Sequence, residues 1–160
     1  MNITVSISDA KVSSDPNDVI ITYSLGSCIG VTLYDPMKKV GGMLHFQLPT
    51  STLDAQRAAQ NPMMFADTGF KLLLDEVLRR GAEKKRLKIR VAGAAQMLND
   101  SALFDIGRRN HAAMRKILWQ HGLFVDAEDT GGTTPRTMTL ALADGSVTLK
   151  MGREVVKLGN

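Results

Sequence analysis

The chain has 160 residues, 44% hydrophobic and 22% charged, with a formal net charge of +4, which predicts a single globular domain over residues 1–160. No apolar run approaches the roughly 18 residues of a membrane span, and residues 1–9 lack the basic and apolar regions of a secretory signal. One cysteine and three histidines provide neither an internal disulfide nor a recognised metal-ligand pattern, so we expect a cytoplasmic protein without a metal.

The first third of the chain predicts a series of short strands. They are expected at residues 3–7, 9–13, 19–24, 29–34 and 40–48, separated by turn-forming residues. Asp35-Pro36-Met37-Lys38-Lys39 is the expected hairpin turn between the fourth and fifth strands. Residues 50–61 show weak periodicity, which predicts a loop beside the candidate site.

Two helices and further strands are predicted in the rest of the chain. One helix is expected from Asn61, an N-cap followed by Pro62, to a stop at Gly81, and the other over residues 105–121. Residues 87–92 alternate between apolar and polar, which predicts a half-buried strand. Later strands are expected at residues 123–129, 136–143 and 147–151. This order predicts an α+β fold: a layered, mostly antiparallel β-sheet with two main helices packed against it.

The most informative pair of side chains is Cys28 and His45. If the predicted hairpin forms, the two lie opposite or nearly opposite, where facing Cβ atoms are about 5 Å apart. A thiol and an imidazole are the minimum needed for nucleophilic attack on an acyl or amide carbon. Gly26 and Ser27 precede the cysteine in a tight turn, whose free backbone N–H groups could stabilise an oxyanion. The ordinary alternatives are a small buried cysteine and a histidine hydrogen-bonded at a sheet surface.

Nucleophilic catalysis by this pair would also need an activated thiol and an oriented imidazole. A thiolate beside a histidinium has a lowered pKa, so we expect Cys28 to be ionised near neutral pH. Thr22, on the strand before the turn, could offer a hydroxyl or carbonyl to the imidazole N–H. An ordinary strand threonine is the alternative. His111 and His121 lie on the second predicted helix, and neither is assigned to the site.

Several motifs in the chain have the order found in one known family. The chain resembles the CheD family of chemoreceptor glutamine deamidases, from about residue 19 to residue 150. The motifs are Thr22-Tyr23-Ser24-Leu25-Gly26-Ser27-Cys28, Gly41-Gly42-Met43-Leu44-His45-Phe46-Gln47-Leu48-Pro49, Thr68-Gly69-Phe70, Gly93-Ala94-Ala95-Gln96-Met97, Ile106-Gly107-Arg108-Arg109-Asn110, and Asp129-Thr130-Gly131-Gly132 with Arg136. The sequence departs from the family's pattern at Ala94, where the family usually has glycine, and at Pro135, where it often has glycine.

The resemblance implies a function and a role for each site residue. Cys28 would be the nucleophile, His45 the base and acid, and Thr22 the group that orients the histidine. The reaction would convert receptor glutamine to glutamate through a thioester, releasing ammonia and needing no cofactor. The implied partners are methyl-accepting chemotaxis receptors as substrates and, in many organisms, a CheC-type phosphatase, with no binding to nucleic acid and no membrane insertion.

Other functions remain open at this point. The chain could be a non-catalytic binding module that regulates a CheC-type phosphatase, or a cysteine enzyme that transfers the acyl group to an amine. Basic residues concentrate at positions 79–90 and 108–116, which predicts either a docking surface for an acidic partner or an ordinary solvated helix end. A nucleic-acid-binding domain is disfavoured, because aromatic residues are only 5% and no binding motif interleaves with the charges.

Overall fold

The computed structural model describes residues 1–96 and 105–159, and within them ten strands and three α-helices form. The strands are β1 (Asn2–Thr4), β2 (Asp9–Ser13), β3 (Val19–Leu25), β4 (Ile29–Asp35), β5 (Val40–Phe46), β6 (Lys88–Gly93), β7 (Ala127–Thr130), β8 (Arg136–Ala141), β9 (Val147–Met151) and β10 (Glu154–Lys157). The helices are α1 (Ala55–Gln60), α2 (Ala66–Arg79) and α3 (Ile106–Gln120), with 3-10 turns at Ser51–Leu53, Pro62–Met64 and Lys84–Arg86. None of these helices is long and apolar enough to cross a bilayer.

The strands form two sheets of five. The outer sheet has the order β1-β3-β8-β9-β10, and the middle sheet has the order β2-β5-β4-β6-β7. Among the described strands, only β1–β3 and β6–β7 pair in parallel, and the other pairs are antiparallel. The predicted α+β class, with mostly antiparallel pairing and two main helices, is confirmed.

Three layers result, with one apolar core on each side of the middle sheet. Side chains from both sheets, such as Ile20, Met43 and Met138, form the core between the sheets. Residues of β4, β5 and β6 pack against α2 and α3 in the core on the helix side. The middle sheet is therefore covered on both faces, and every residue of β4 and β5 is buried. The prediction of a half-buried strand at residues 87–92 is wrong for the same reason, since even Arg90 is only 6% exposed.

The two main helices follow the predicted periodicity but differ at their ends. Asn61 accepts a hydrogen bond from the Met63 N–H at 3.2 Å, but it begins a 3-10 turn rather than a helix. The chain then extends at Phe65 before α2 begins. The end predicted at Gly81 is close to the observed end, and this glycine has a φ of +106°.

The remaining differences concern short elements. Residues 50–61, predicted as a loop, contain α1, which buries only Ala58 and so leaves no periodic signal. β7 begins at Ala127 rather than residue 123, β1 ends at Thr4 rather than residue 7, and β10 was not predicted. Met97, the last residue of a quoted motif, lies outside the described residues.

Candidate active site

The turn at residues 26–28, between β3 and β4, is held through three consecutive carbonyl groups. The first accepts a hydrogen bond from the Ala95 N–H at 2.8 Å, and the last, that of Cys28, accepts one from the Ala94 N–H at 2.9 Å. The middle carbonyl accepts a hydrogen bond from the side-chain amide of Asn110 on α3 at 3.0 Å. The turn is therefore fixed from its carbonyl side by β6 and α3.

The opposite side of this turn presents backbone donors. The peptide bonds are trans, so each N–H points away from the preceding carbonyl. The N–H groups of Ser27 and Cys28 therefore point away from Ala95 and Asn110. Among residues 1–96 and 105–159, no other residue accepts a hydrogen bond from either of them. This geometry supports the prediction that Gly26 and Ser27 border an oxyanion site, which stays a prediction.

The predicted hairpin forms and places His45 near the turn. β4 and β5 pair with Gly30 opposite His45 and Ile29 opposite Phe46. Cys28 lies just before β4, two residues from Gly30, so it is a diagonal rather than a directly opposite neighbour of the histidine. The two sit on the same face of the middle sheet, the face toward the outer sheet, where Cys28 packs half-buried against the core between the sheets.

A hydrogen bond between the two sheets orients His45. The imidazole is 1% exposed, and its Nδ1 lies 2.7 Å from Oγ1 of Thr22 on β3. The same hydroxyl donates its hydrogen to the Val5 carbonyl at 2.8 Å. Because a hydroxyl has one hydrogen, both contacts form together only when Nδ1 carries the proton and donates to Thr22. Nε2 is then the unprotonated nitrogen, and it is buried without a hydrogen-bond partner among the described residues.

The pKa values of this pair differ from the expected ion pair. Burial raises the pKa of the Cys28 thiol to about 11, although the N–H of Cys28 itself opposes that rise. Burial lowers the pKa of His45 to about 4. The prediction of a thiolate at neutral pH is therefore wrong for the free protein, because burial disfavours both the thiolate and the imidazolium. The resting pair is a neutral thiol and a neutral imidazole.

Two residues beside the turn have unusual backbone conformations. Gly93 has a φ of +117°, and a Cβ built on it would lie 2.2 Å from the Cys28 carbonyl oxygen, so only glycine fits. Ala94 has a φ of +55°, a left-handed conformation that favours glycine. Ala94, one of the two positions at which the sequence departs from the family's pattern, therefore adopts a backbone conformation that favours glycine.

Two buried polar side chains with no role predicted from the sequence support the turn. Arg136, 5% exposed, donates to the Gly93 carbonyl at 3.2 Å and to the Asp129 carboxylate at 2.8 Å. Asn110, fully buried, contacts the turn as described above. Both residues belong to the motifs that the chain shares with the CheD family. Asn110 could have been identified from the sequence as a polar residue on the apolar face of a predicted helix.

A groove of about 460 Å³ opens next to these elements. It runs between the start of α3 and the connection from β7 to β8, and its lining includes Ala94, Arg108, His111 and Gly132. His111 lies 3.0 Å from the Glu128 carboxylate. In the part of the chain that the structure describes, no three His, Cys, Asp or Glu side chains come close enough together to hold a metal ion.

Comparison with known proteins gives a consistent result. Residues 47–151 match the family described as CheD chemotactic sensory transduction. The chain is 47% identical over 148 residues to a probable chemoreceptor glutamine deamidase CheD of Solibacter usitatus, covering 92% of this chain and 88% of the relative. It is also 47% identical over 156 residues to a probable chemoreceptor glutamine deamidase CheD 2 of Anaeromyxobacter dehalogenans, covering 98% of both chains.

Proposed function

The chain belongs to the CheD family of chemotaxis proteins, and from that premise we propose that it deamidates glutamine side chains of chemoreceptors in the cytoplasm, leaving glutamate. The observation that carries the proposal is the state of His45. Its Nδ1 is held by Thr22, and its Nε2 is a buried base beside the Cys28 turn with no hydrogen-bond partner in the part of the chain that the structure describes. An imidazole held in this way is suited to move one proton between a thiol and a leaving group.

The first step is attack by sulfur on the glutamine side chain. Because the resting thiol is neutral, its proton passes to His45 Nε2 as the Cys28 Sγ bonds to the amide carbon. The carbonyl oxygen then becomes an oxyanion, which the N–H groups of Ser27 and Cys28 are expected to stabilise. The site thus uses general-base activation rather than a preformed thiolate.

Proton return and hydrolysis complete the cycle. The imidazolium gives its proton to the amide nitrogen, the carbon–nitrogen bond breaks, and ammonia leaves a thioester on Cys28. His45 Nε2 then takes a proton from water as the water oxygen attacks the thioester carbon. Collapse of that second oxyanion breaks the carbon–sulfur bond, the sulfur takes the proton back from His45, and glutamate is released.

Thr22 acts through the histidine and does not touch the substrate in this mechanism. Its hydroxyl accepts the Nδ1–H bond, which keeps Nε2 available, and the bond strengthens when the imidazole becomes charged. Thr22→Val removes the acceptor at nearly constant volume and is expected to lower kcat by about tenfold to a hundredfold, at the low end of proton-transfer effects. Thr22→Ser keeps the hydroxyl and is the matched control, expected to retain most activity.

The decisive experiment is peptide mass spectrometry on a receptor cytoplasmic fragment incubated with the protein under reducing conditions. Conversion of glutamine to glutamate with the natural protein, and its loss in Cys28→Ala, would support the deamidase and its nucleophile together. A primary amine added in a parallel reaction tests acyl transfer, because an amine incorporated at the glutamine would identify a transamidating enzyme. No conversion with either protein would favour a binding module that regulates a CheC-type phosphatase.

A further inference from the structure

We propose that Asn110 is a positioning residue for the oxyanion site, whose side-chain amide fixes the Ser27–Cys28 peptide so that the Cys28 N–H faces the reacting carbonyl. This inference rests on the proposed function. It assigns to α3 a direct part in arranging the chemistry, through one amide buried between the nucleophile turn and the end of β5. Asn110 itself touches neither the sulfur nor the substrate in this arrangement.

Both hydrogens of the Asn110 amide are used to join two segments. Nδ2 lies 3.0 Å from the Ser27 carbonyl oxygen and 2.8 Å from the Gln47 carbonyl oxygen. Ser27 directly precedes the nucleophile, and Gln47 follows His45 by two residues. A planar amide holds its two donors in a fixed fork, so one side chain sets the spacing between the cysteine turn and the histidine strand.

The bond to Ser27 also determines where the next N–H points. In a trans peptide the Cys28 N–H is opposite to the Ser27 carbonyl, so fixing that carbonyl on α3 directs the N–H toward the side of the sulfur. The thiol pKa is consistent with this orientation: burial raises it, and the Cys28 N–H opposes the rise by interacting with its own Sγ. An N–H in this position is available to an oxyanion that forms on a carbon bonded to the sulfur.

Gly107 allows α3 to approach closely enough for this contact. A Cβ on Gly107 would lie 2.8 Å from the Ala94 carbonyl oxygen, so a larger residue would push the helix away. Gly107 and Asn110 are three residues apart and lie on the same face of α3. The Gly-x-x-Asn spacing therefore combines close helix packing with delivery of the amide to the turn.

The test compares two reactions of Cys28, the single cysteine of the chain. Alkylation by iodoacetamide needs a reactive sulfur but forms no oxyanion, whereas acylation by p-nitrophenyl acetate passes through one. In Asn110→Ala we expect acylation to slow by about tenfold to a hundredfold, somewhat less than for full loss of an oxyanion donor. Alkylation should change less than about threefold, because no oxyanion forms in that reaction.

Met114→Ala is the matched control for a destabilised α3. Met114 lies four residues after Asn110 on α3 and is fully buried in the core on the helix side. Its apolar side chain does not hydrogen-bond to residues 26–28. Both reactions should be unchanged in this variant at a temperature where circular dichroism shows it folded. Parallel slowing of both reactions in Asn110→Ala, or no slowing of acylation, would overturn the proposal.

Asn110→Asp keeps the shape of the side chain and serves if the alanine variant does not fold. As a neutral acid it retains one donor, and as a carboxylate it has none. The ratio of acylation to alkylation in this variant, divided by the same ratio for the natural protein at the same pH, should therefore fall with rising pH. Small reagents also separate the two proposals. Absence of receptor deamidation would contradict the proposed function even if Asn110→Ala slows acylation more than alkylation. Equal effects on acylation and alkylation would contradict the role of Asn110 even if the receptor is deamidated.

Discussion

Burial determines the chemistry of Cys28 and His45 at the level of single residues. The sequence suggests an ion pair, since a cysteine and a histidine together so often form one. In the structure His45 is 1% exposed and its Nδ1 faces a neutral hydroxyl rather than a carboxylate. Nothing in that contact compensates the lost hydration of an imidazolium, so its pKa falls to about 4.

The neutral pair predicts how the reactivity of Cys28 changes with pH. The pKa of the thiol is raised to about 11, so the thiolate fraction should rise about tenfold per pH unit between pH 7 and 10. The rate of iodoacetamide alkylation, measured by mass spectrometry of the intact chain, should follow that slope. A plateau between pH 5 and 7 would instead show a thiolate already paired with a histidinium and would contradict the prediction.

The site residues differ in how far the sequence could identify them. Cys28 and His45 lie on one hairpin, so a turn signal and strand alternation were enough to bring them together. Thr22 meets His45 across two sheets, and no local rule predicts which strands of separate sheets face each other. Asn110 contacts Ser27 over 83 residues of sequence, and that contact depends on how α3 packs.

At the level of secondary structure elements, the errors of prediction follow from the third layer. Alternation of polar and apolar residues along a strand indicates which face of the sheet is exposed to solvent. It is uninformative where both faces are buried. β6 shows this, since Arg90 is polar in sequence and yet buried, with its guanidinium 3.3 Å from the Gly145 carbonyl. The sequence therefore predicts the existence of this strand correctly and its environment incorrectly.

The end of β6 gives a prediction about close backbone packing. In Gly93→Ala, the new Cβ would lie 2.2 Å from the Cys28 carbonyl oxygen, at a φ of +117°. Gly131→Ala is the matched control, because its φ is +85° but nothing lies within 4 Å of the new Cβ. We expect about 1–2 kcal/mol of destabilisation for Gly131→Ala from backbone strain alone.

Gly93→Ala should be less stable than that control by about a further 1–3 kcal/mol, as in other overpacked sites. It should also slow acylation of Cys28, since the clash moves the turn that carries this residue. Urea denaturation and the p-nitrophenyl acetate reaction measure the two effects. Equal unfolding free energies for the two variants would show that the turn yields to the added carbon.

At the level of the whole molecule, the candidate site lies where the three layers meet. Thr22 comes from the outer sheet, His45 from the middle sheet and Asn110 from the helix layer, while the Cys28 turn connects the two sheets. The site is therefore assembled only when all three layers pack. This is why the sequence pointed to Cys28, His45 and, mainly through the family resemblance, Thr22, but gave no role to Asn110 or Arg136, whose contacts depend on how the layers pack.

The basic residues at positions 79–90 do not form one continuous positive surface, because several of them pair with carboxylates. Arg79 and Arg80 both pair with Glu76, and Arg86 pairs with Asp35. Lys84, Lys85 and Lys88 remain exposed. An acidic docking partner for this surface stays a prediction, and these three lysines are the ones whose reversal would test it by a change in the salt dependence of receptor deamidation.

The pair formed by Asp35 and Arg86 joins the hairpin of the middle sheet to the segment between α2 and β6. The Asp35 carboxylate is 0% exposed and lies 2.8 Å from the Arg86 guanidinium and 2.8 Å from the Glu83 N–H. Burial alone would raise the pKa of Asp35, but hydrogen bonds from Arg86 and from backbone N–H groups outweigh burial and lower it to about 2. The folded state therefore favours the charged form of this carboxyl.

A lowered pKa fixes the direction of the pH dependence. The stabilisation is fully present above the unfolded-state pKa, near 4, and is lost as pH falls through about 2. A difference of nearly two pKa units corresponds to about 2 kcal/mol. The free energy of unfolding of the natural protein should therefore fall between pH 4 and pH 2, and this part of the fall should be absent in Asp35→Asn.

Asp35→Asn should also lower the free energy of unfolding at pH 7, because it leaves the Arg86 guanidinium without its counter-charge. The expected loss is about 2–4 kcal/mol, close to the values typical of breaking a buried ion pair. Glu76→Gln is the matched control, since Glu76 pairs with two arginines but is 33% exposed at the surface of α2. Water hydrates those arginines when the charge is removed, so its urea midpoint should move much less. Equal shifts of the urea midpoint in the two variants would show that the hairpin does not depend on the buried charge.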